Sequence, residues 1–240
     1  MNLRRLNAAC ITCLAWSCMT LAAQLPSSLS MGAPPHNYVL PAVTSKPYTL
    51  TETRTSVRKQ PNGPPKTTVF VQHRMRDSEG RERTELGTIE DGNFKRVSLS
   101  IVDPVGHFTA TLFADQKLAI VTHFPAPNPL TREEKANADA KKAALDEARR
   151  SAPKNPNEED LPSETISGVS VPGKRLHLVM QGVPVTEDTW FDRELKIQMK
   201  SETNDPRSGH FSTIVSDLQQ TDSAPSLFQI PADYEVRSRD

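Results

Sequence analysis

The residues best suited to proton transfer or metal binding are six histidines, His36, His73, His107, His123, His177 and His210, and the adjacent acids Glu187 and Asp188. No two of these histidines stand at an HxH or one-helical-turn spacing, the spacings that aim two imidazoles at one metal ion. Gly106-His107-Phe108 and Gly209-His210-Phe211 each follow an Asp-Pro turn signal, which fits strand edges better than a metal centre. Glu187 and Asp188 are neighbours, so on a strand their carboxylates point to opposite faces and cannot divide acid and base roles between them. Gly168-Val169-Ser170-Val171-Pro172-Gly173 carries a serine between glycines but lacks the spacing of a nucleophile elbow. No phosphate-cradling glycine loop is present. The chain reads as non-enzymatic, with no catalytic residue, no metal site and no cofactor.

The three cysteines, Cys10, Cys13 and Cys18, all fall within the first 23 residues, which read as a secretory signal. Arg4 and Arg5 form its positive start, an uncharged run covers Ala8 to Ala23, and small residues predict cleavage after Ala22 or Ala23. Cys18 follows Ala15-Trp16-Ser17, where the bulky Trp16 disfavours a lipidation box. The mature chain would then hold no cysteine, which excludes a disulfide scaffold and a thiol nucleophile. It would carry a net charge of −2, unsuited to nucleic acid or to anionic lipid by total charge alone. Mean hydropathy is −0.53, so no stable membrane span is expected after signal removal. The predicted location is the periplasm or the exterior.

Any binding surface must then be built by the 48–240 segment, a single β-rich domain preceded by a Pro-rich leader over 24–47. Alternation with period two predicts strands at 48–58, 67–76, 81–90, 93–102, 107–114, 117–123, 164–171, 174–181, 185–191, 195–203, 210–218 and 233–237. Asp77-Ser78-Glu79-Gly80, Asp91-Gly92, Pro172-Gly173 and Asp192-Arg193-Glu194 are read as turns, and such short links favour antiparallel meanders. Strands such as Thr49–Thr55 and 81–90 are polar on both sides, so they are expected outside any sandwiched core. An α+β fold follows, one large curled antiparallel sheet with an apolar concave face. A helical insert at about 126–162 interrupts it. Thr131 and Glu134 form a capping box there, Asp146 can pair with Arg150, and Leu145 is its one large aliphatic residue. That helix is expected to be solvent-exposed, and its removal should leave the sheet folded.

The stretches Glu187–Lys196, Thr203–Gly209 and Pro225–Tyr234, with Ile166-Ser167-Gly168-Val169 and the strands around Asp77–Arg81, resemble uncharacterised secreted bacterial proteins related to the LolA-like lipoprotein-carrier superfamily. The resemblance implies a half-barrel of antiparallel strands that shelters acyl chains or an exposed peptide. The polar 131–152 helix departs from that pattern. On the apolar face the expected ligand contacts are Leu176, Leu178, Met180, Trp190, Phe191, Leu195, Ile197 and Met199. The expected function is to hold a hydrophobic or amphipathic ligand (a lipid or a lipoprotein acyl chain) without chemistry, in company with a lipoprotein or another envelope protein. The alternative is a protein–protein or sensing module with no small ligand.

Overall fold

Alternating side chains and tight turns assemble twelve strands into one open, curled sheet. The structure, a computed structural model, describes residues 42–126, 131–151 and 153–239. The expected signal and most of the leader lie outside the described residues. In chain order the strands are β1 Tyr48–Arg58, β2 Lys66–Arg76, β3 Glu82–Glu90, β4 Asn93–Asp103, β5 Phe108–Phe113 and β6 Leu118–His123. After the helix α1, Arg132–Ser151, come β7 Glu158–Ile166, β8 Val169–Met180, β9 Val183–Asp192, β10 Ile197–Asp205, β11 Gly209–Gln219 and β12 Glu235–Ser238. Their order across the sheet is β12-β6-β5-β4-β3-β2-β1-β11-β10-β9-β8-β7. Two antiparallel meanders, β1–β6 and β7–β11, are therefore fused where β1 pairs with β11. Among the described residues the single parallel pairing is β12 against β6.

The strand expected at 164–171 and its partner at 174–181 are placed differently. The chain turns at Ser167-Gly168, both with positive φ (48° and 81°), and β8 runs unbroken through Pro172 and Gly173. Two successive positive φ values make the hairpin turn whose twist matches the strands, and glycine at its second position carries no Cβ penalty. Pro172 is accommodated because the β7–β8 register shifts between Leu161 and Glu164, where no ladder donor is required of it. β7 begins at Glu158, so removing 126–162 would delete half of an edge strand and not merely a helix.

Polar β1 lies in the middle of the open sheet and not inside a sandwich, yet its Glu52 is only 3% exposed. Burial of this carboxylate is tolerated because it is paired, with Arg54 Nε at 2.5 Å and Arg74 Nη1 at 3.2 Å. Apolar packing is divided between two clusters. One gathers Tyr48, Leu50, Ile166, Val171, Trp190, Leu195, Ile197, Met199 and Val215. The other joins Leu99, Ile101, Ala110, Leu112, Ala119 and Val121, with Ile230 and Tyr234 packed against it. Residues 220–234 return from β11 to β12 and carry those two side chains, along with the buried Phe228 beside β3 and β4. Arg83 Nη1 donates to Leu227 O at 2.9 Å, and Ser78 Oγ to Asp222 Oδ2 at 2.6 Å, fixing the return segment in place.

Helix α1 bridges the two meanders without packing broadly on either. Its N-terminus has the expected capping box, with Thr131 N donating to Glu134 Oε2 (2.8 Å) and Glu134 N to Thr131 Oγ1 (3.2 Å). The Thr131 N–H, and the Thr131 hydroxyl donating to the same Oε2 at 2.9 Å, hold the Glu134 carboxyl below its ordinary value. Arg150 pairs with Glu147 at 2.8 Å instead of with Asp146. Leu145 is exposed, as an unpartnered helix requires. The double substitution Ala140→Gly and Ala144→Gly should therefore reduce the helical circular-dichroism signal, each glycine costing the helix about 1 kcal/mol. The main melting transition should move by less than about 0.5 kcal/mol, the range of a neutral surface change.

Candidate binding groove at the β9–β10 turn

The groove is shaped by a carboxylate that folds its own turn. Asp192, largely buried, accepts from Glu194 N at 2.7 Å and Leu195 N at 3.1 Å through Oδ1. This side-chain turn, closed by Lys196 in the left-handed region (φ 59°), presents Arg193 and Glu194 outward and drives Leu195 into the first cluster. Leu195 O in turn accepts from Arg76 Nη2 at 2.7 Å. Beside the turn runs a cavity of about 560 Å³, lined by Val169, Ser170, Val171, Pro172, Phe191, Asp192, Arg193, Glu194, Leu195 and Gln220. That volume falls within the ~300–1,000 Å³ common for small-molecule sites. Its walls are apolar at Val169, Val171, Pro172, Phe191 and Leu195, and its polar groups come mainly from the turn and from Gln220.

Trp190 stands just behind this lining. Its indole lies on Gly173, where a Cβ would approach Nε1 to 2.6 Å and Cε2 to 2.9 Å. Indole Nε1 donates to Pro162 O at 3.3 Å, which satisfies the one polar atom of a buried ring. Lys200 Nζ sits 4.3 Å from the ring centroid and is shared between Glu164 (3.0 Å) and Glu202 (3.3 Å). Burial of Lys200 acts against its charge, but the two carboxylates prevail and hold the ammonium above its ordinary value. Burial likewise pushes the Tyr48 phenol up, against the pull of Arg74.

The eight residues expected to line one apolar face are divided. Trp190, Leu195, Ile197 and Met199 meet in the first cluster. Leu176 and Leu178 are half-buried, and Met180 and Phe191 are each 41% exposed. Leu176, Leu178 and Met180 pair across to Glu187, Val185 and Val183, whereas Gly173 pairs with Trp190 and Arg175 with Asp188. Cross-strand partners share a side, so the three β8 residues lie on the opposite side of that strand from the seat of Trp190. Only Phe191 and Leu195 of the eight line the groove. Sequence reasoning missed Val169, Val171 and Pro172 because Pro172-Gly173 imitates a turn, and the Ser167-Gly168 pair five residues earlier was the available signal; Gln220, just after β11, joins the lining only through the fold and has no local signal.

The described histidines are engaged separately. His73 stacks on Phe94 (4.4 Å), His107 meets Phe124 edge-on (5.8 Å), His123 lies by Phe108 (6.3 Å), and His210 Nδ1 bonds Asn204 Oδ1 (2.8 Å). His177 lies 3.5 Å from Glu159. Asp188 is bound through both oxygens by Arg175 at 2.7 Å, an arrangement that fixes a strand pair.

No protein-family model matches the chain, and no curated protein matches it. Among solved structures it is similar to MucB (12% identity, TM-score 0.41, 80% of this chain and 60% of that one). It is also similar to a LolA superfamily protein from Nitrosomonas europaea (11% identity, TM-score 0.33, 78% and 92%). A third is a β-barrel-like protein from Brucella abortus (12% identity, TM-score 0.32, 75% and 100%). The chain thus spans about three-fifths of the MucB structure it matches.

The seat of Trp190 can be tested by Gly173→Ala. The added methyl meets the indole and Leu161 Cβ (2.9 Å), an overpacking expected to cost about 1–3 kcal/mol. Chemical denaturation should show that loss, together with a red shift of Trp190 emission as the ring is pushed towards water.

Proposed function

We propose that this chain is an exported, non-enzymatic binding protein of the bacterial envelope that holds one hydrophobic or amphipathic ligand, such as a lipid or lipoprotein acyl chain. The supporting observation is the groove at the β9–β10 turn, where Val169, Pro172 and Phe191 present apolar surface over the buried Val171 and Leu195, beside Arg193, Glu194 and Gln220. Such a surface accepts a chain along its floor and leaves a polar head at the turn. Phe191, a large ring left 41% exposed on that lining, gains burial when an apolar group settles there. Secretion rests on Arg4, Arg5 and the uncharged run after them; among the described residues no helix is long and apolar enough to cross a membrane. The likeness to a LolA superfamily protein is in keeping with this reading and adds no weight of its own.

Trp190 is the mature chain's one tryptophan once Trp16 has left with the signal, and it packs in one cluster with the groove residues Val171 and Leu195, so its emission reports the groove through them. Titration with a fatty acid or a detergent below micelle formation should change that emission saturably. Phe191→Ala should weaken the response by about tenfold, the loss of an aromatic contact worth ~1.5 kcal/mol. A flat titration over several chain lengths, on folded and delipidated protein, would instead support the protein-interaction module, with exposed α1 as its first candidate surface.

A further inference from the structure

A net charge near zero conceals an uneven distribution, and the end of the sheet opposite the groove is where cations collect. Three hairpin tips are tied together there. The Lys59 side chain donates to Pro206 O and its backbone N to Ser208 O (3.1 Å), joining the β1–β2 and β10–β11 turns. Arg207 Nη1 donates to Gln181 Oε1 at 2.9 Å, joining β10–β11 to β8–β9. This stapled end carries Arg58, Lys59, Lys66 and Arg207. Arg207 is neutralised by Asp205 through two bonds, at 3.1 and 3.0 Å. Among the described residues, the side chains of Arg58 and Lys59 bond only a hydroxyl, Ser56 Oγ at 3.3 Å, and a carbonyl, and Arg58 lies across from Lys66 on the same side of the sheet. Of the nearby acids, Glu90 is bound by Lys95, Glu158 by Lys174 and Asp160 by Lys154, which leaves Glu187 on β9, in the row of Phe211, and Asp91 at the adjacent β3–β4 tip against Arg58, Lys59 and Lys66.

Apolar side chains stand among these cations. Val179, 76% exposed, and Met180 end β8 directly before the Gln181-Gly182 turn. The Phe211 ring lies under the Arg58 guanidinium at 5.7 Å. Between Lys59 and Lys66 the exposed segment Pro61-Asn62-Gly63-Pro64-Pro65 projects beyond the sheet. Unpaired cations on a rigid end with protruding aliphatic groups match a surface that is anionic outside and apolar just beneath.

We propose that the stapled β1–β2, β8–β9 and β10–β11 tips dock this protein on an anionic phospholipid membrane surface. Arg58, Lys59 and Lys66 meet the headgroups, and Val179 and Met180 enter the boundary below them. The test is sedimentation of the mature chain with phosphatidylcholine vesicles, with and without phosphatidylglycerol. Binding is expected only to vesicles containing phosphatidylglycerol and should fall as salt rises. Each lysine near such a surface contributes about fivefold in affinity, so Lys59→Gln with Lys66→Gln should weaken binding by about 30-fold. Both side chains are exposed, and the Lys59 N–Ser208 O bond still joins the two turns when the Lys59 side chain is replaced, so the fold is retained, which circular dichroism checks. Val179→Ser should weaken binding without altering its salt dependence. The matched change on the helix, Lys141→Gln with Lys142→Gln, should have no effect. Binding to neither vesicle, equal binding to both, or an equal loss from the helix variant would each overturn the proposal.

Discussion

The guanidinium of Arg76, 1% exposed, is the interaction on which the rest of the structure depends. It lies 4.5 Å from the Tyr48 ring centroid, its Nε donates to Lys46 O at 2.9 Å, and its Nη2 donates to Leu195 O at 2.7 Å. Glu82 stands 3.7 Å from Nη1 and supplies the opposite charge. A buried cation is costly unless each donor is met, and here the acceptors come from three separate parts of the chain. The start of β1, the end of β2 and the β9–β10 turn are thereby held at one point. Since Leu195 is also a wall of the groove, the ion that joins the two meanders also fixes the geometry of the proposed site.

The same economy governs β1. Its alternating Thr and charged residues argue against a sandwiched core, and it occupies the seam of a single sheet between the meanders, flanked by β2 and β11. Pairing replaces hydrophobicity there, since Glu52 satisfies Arg54 and Arg74 together, and Arg74 Nη2 reaches Tyr48 Oη at 3.3 Å. Hydrophobic burial is then concentrated on either side, in the Trp190 cluster and in the cluster sealed by Phe228, Ile230 and Tyr234.

Most strands were legible in the sequence because period-two alternation is a local property, and β1 to β6 fall within a residue or two of their expected limits. The capping box of α1 was legible for the same reason: Thr131 and Glu134 are three residues apart and need no tertiary partner. What was not legible depends on residues distant in sequence. Pro172-Gly173 looks like a turn until Trp190 is placed on Gly173, and Glu52 looks like a surface acid until Arg74 arrives from β2. The candidate site divides along the same line. Trp190, Leu195, Ile197 and Met199 cluster as alternation suggests. Leu176, Leu178 and Met180 follow the same rule locally but on the other side of β8, a choice made by the register with β9.

Groove and charged tips lie at opposite ends of one rigid sheet, an arrangement suited to taking up an amphiphile at one end while the other meets a membrane surface. The direct measurement is organic-solvent extraction of protein purified from its native envelope, followed by mass spectrometry of the extract. If the groove holds an amphiphile, the extract contains a lipid or acylated species in stoichiometric amount, reduced in a Phe191→Ala variant purified in the same way. An extract with no lipid above the level of an unrelated secreted protein would contradict it.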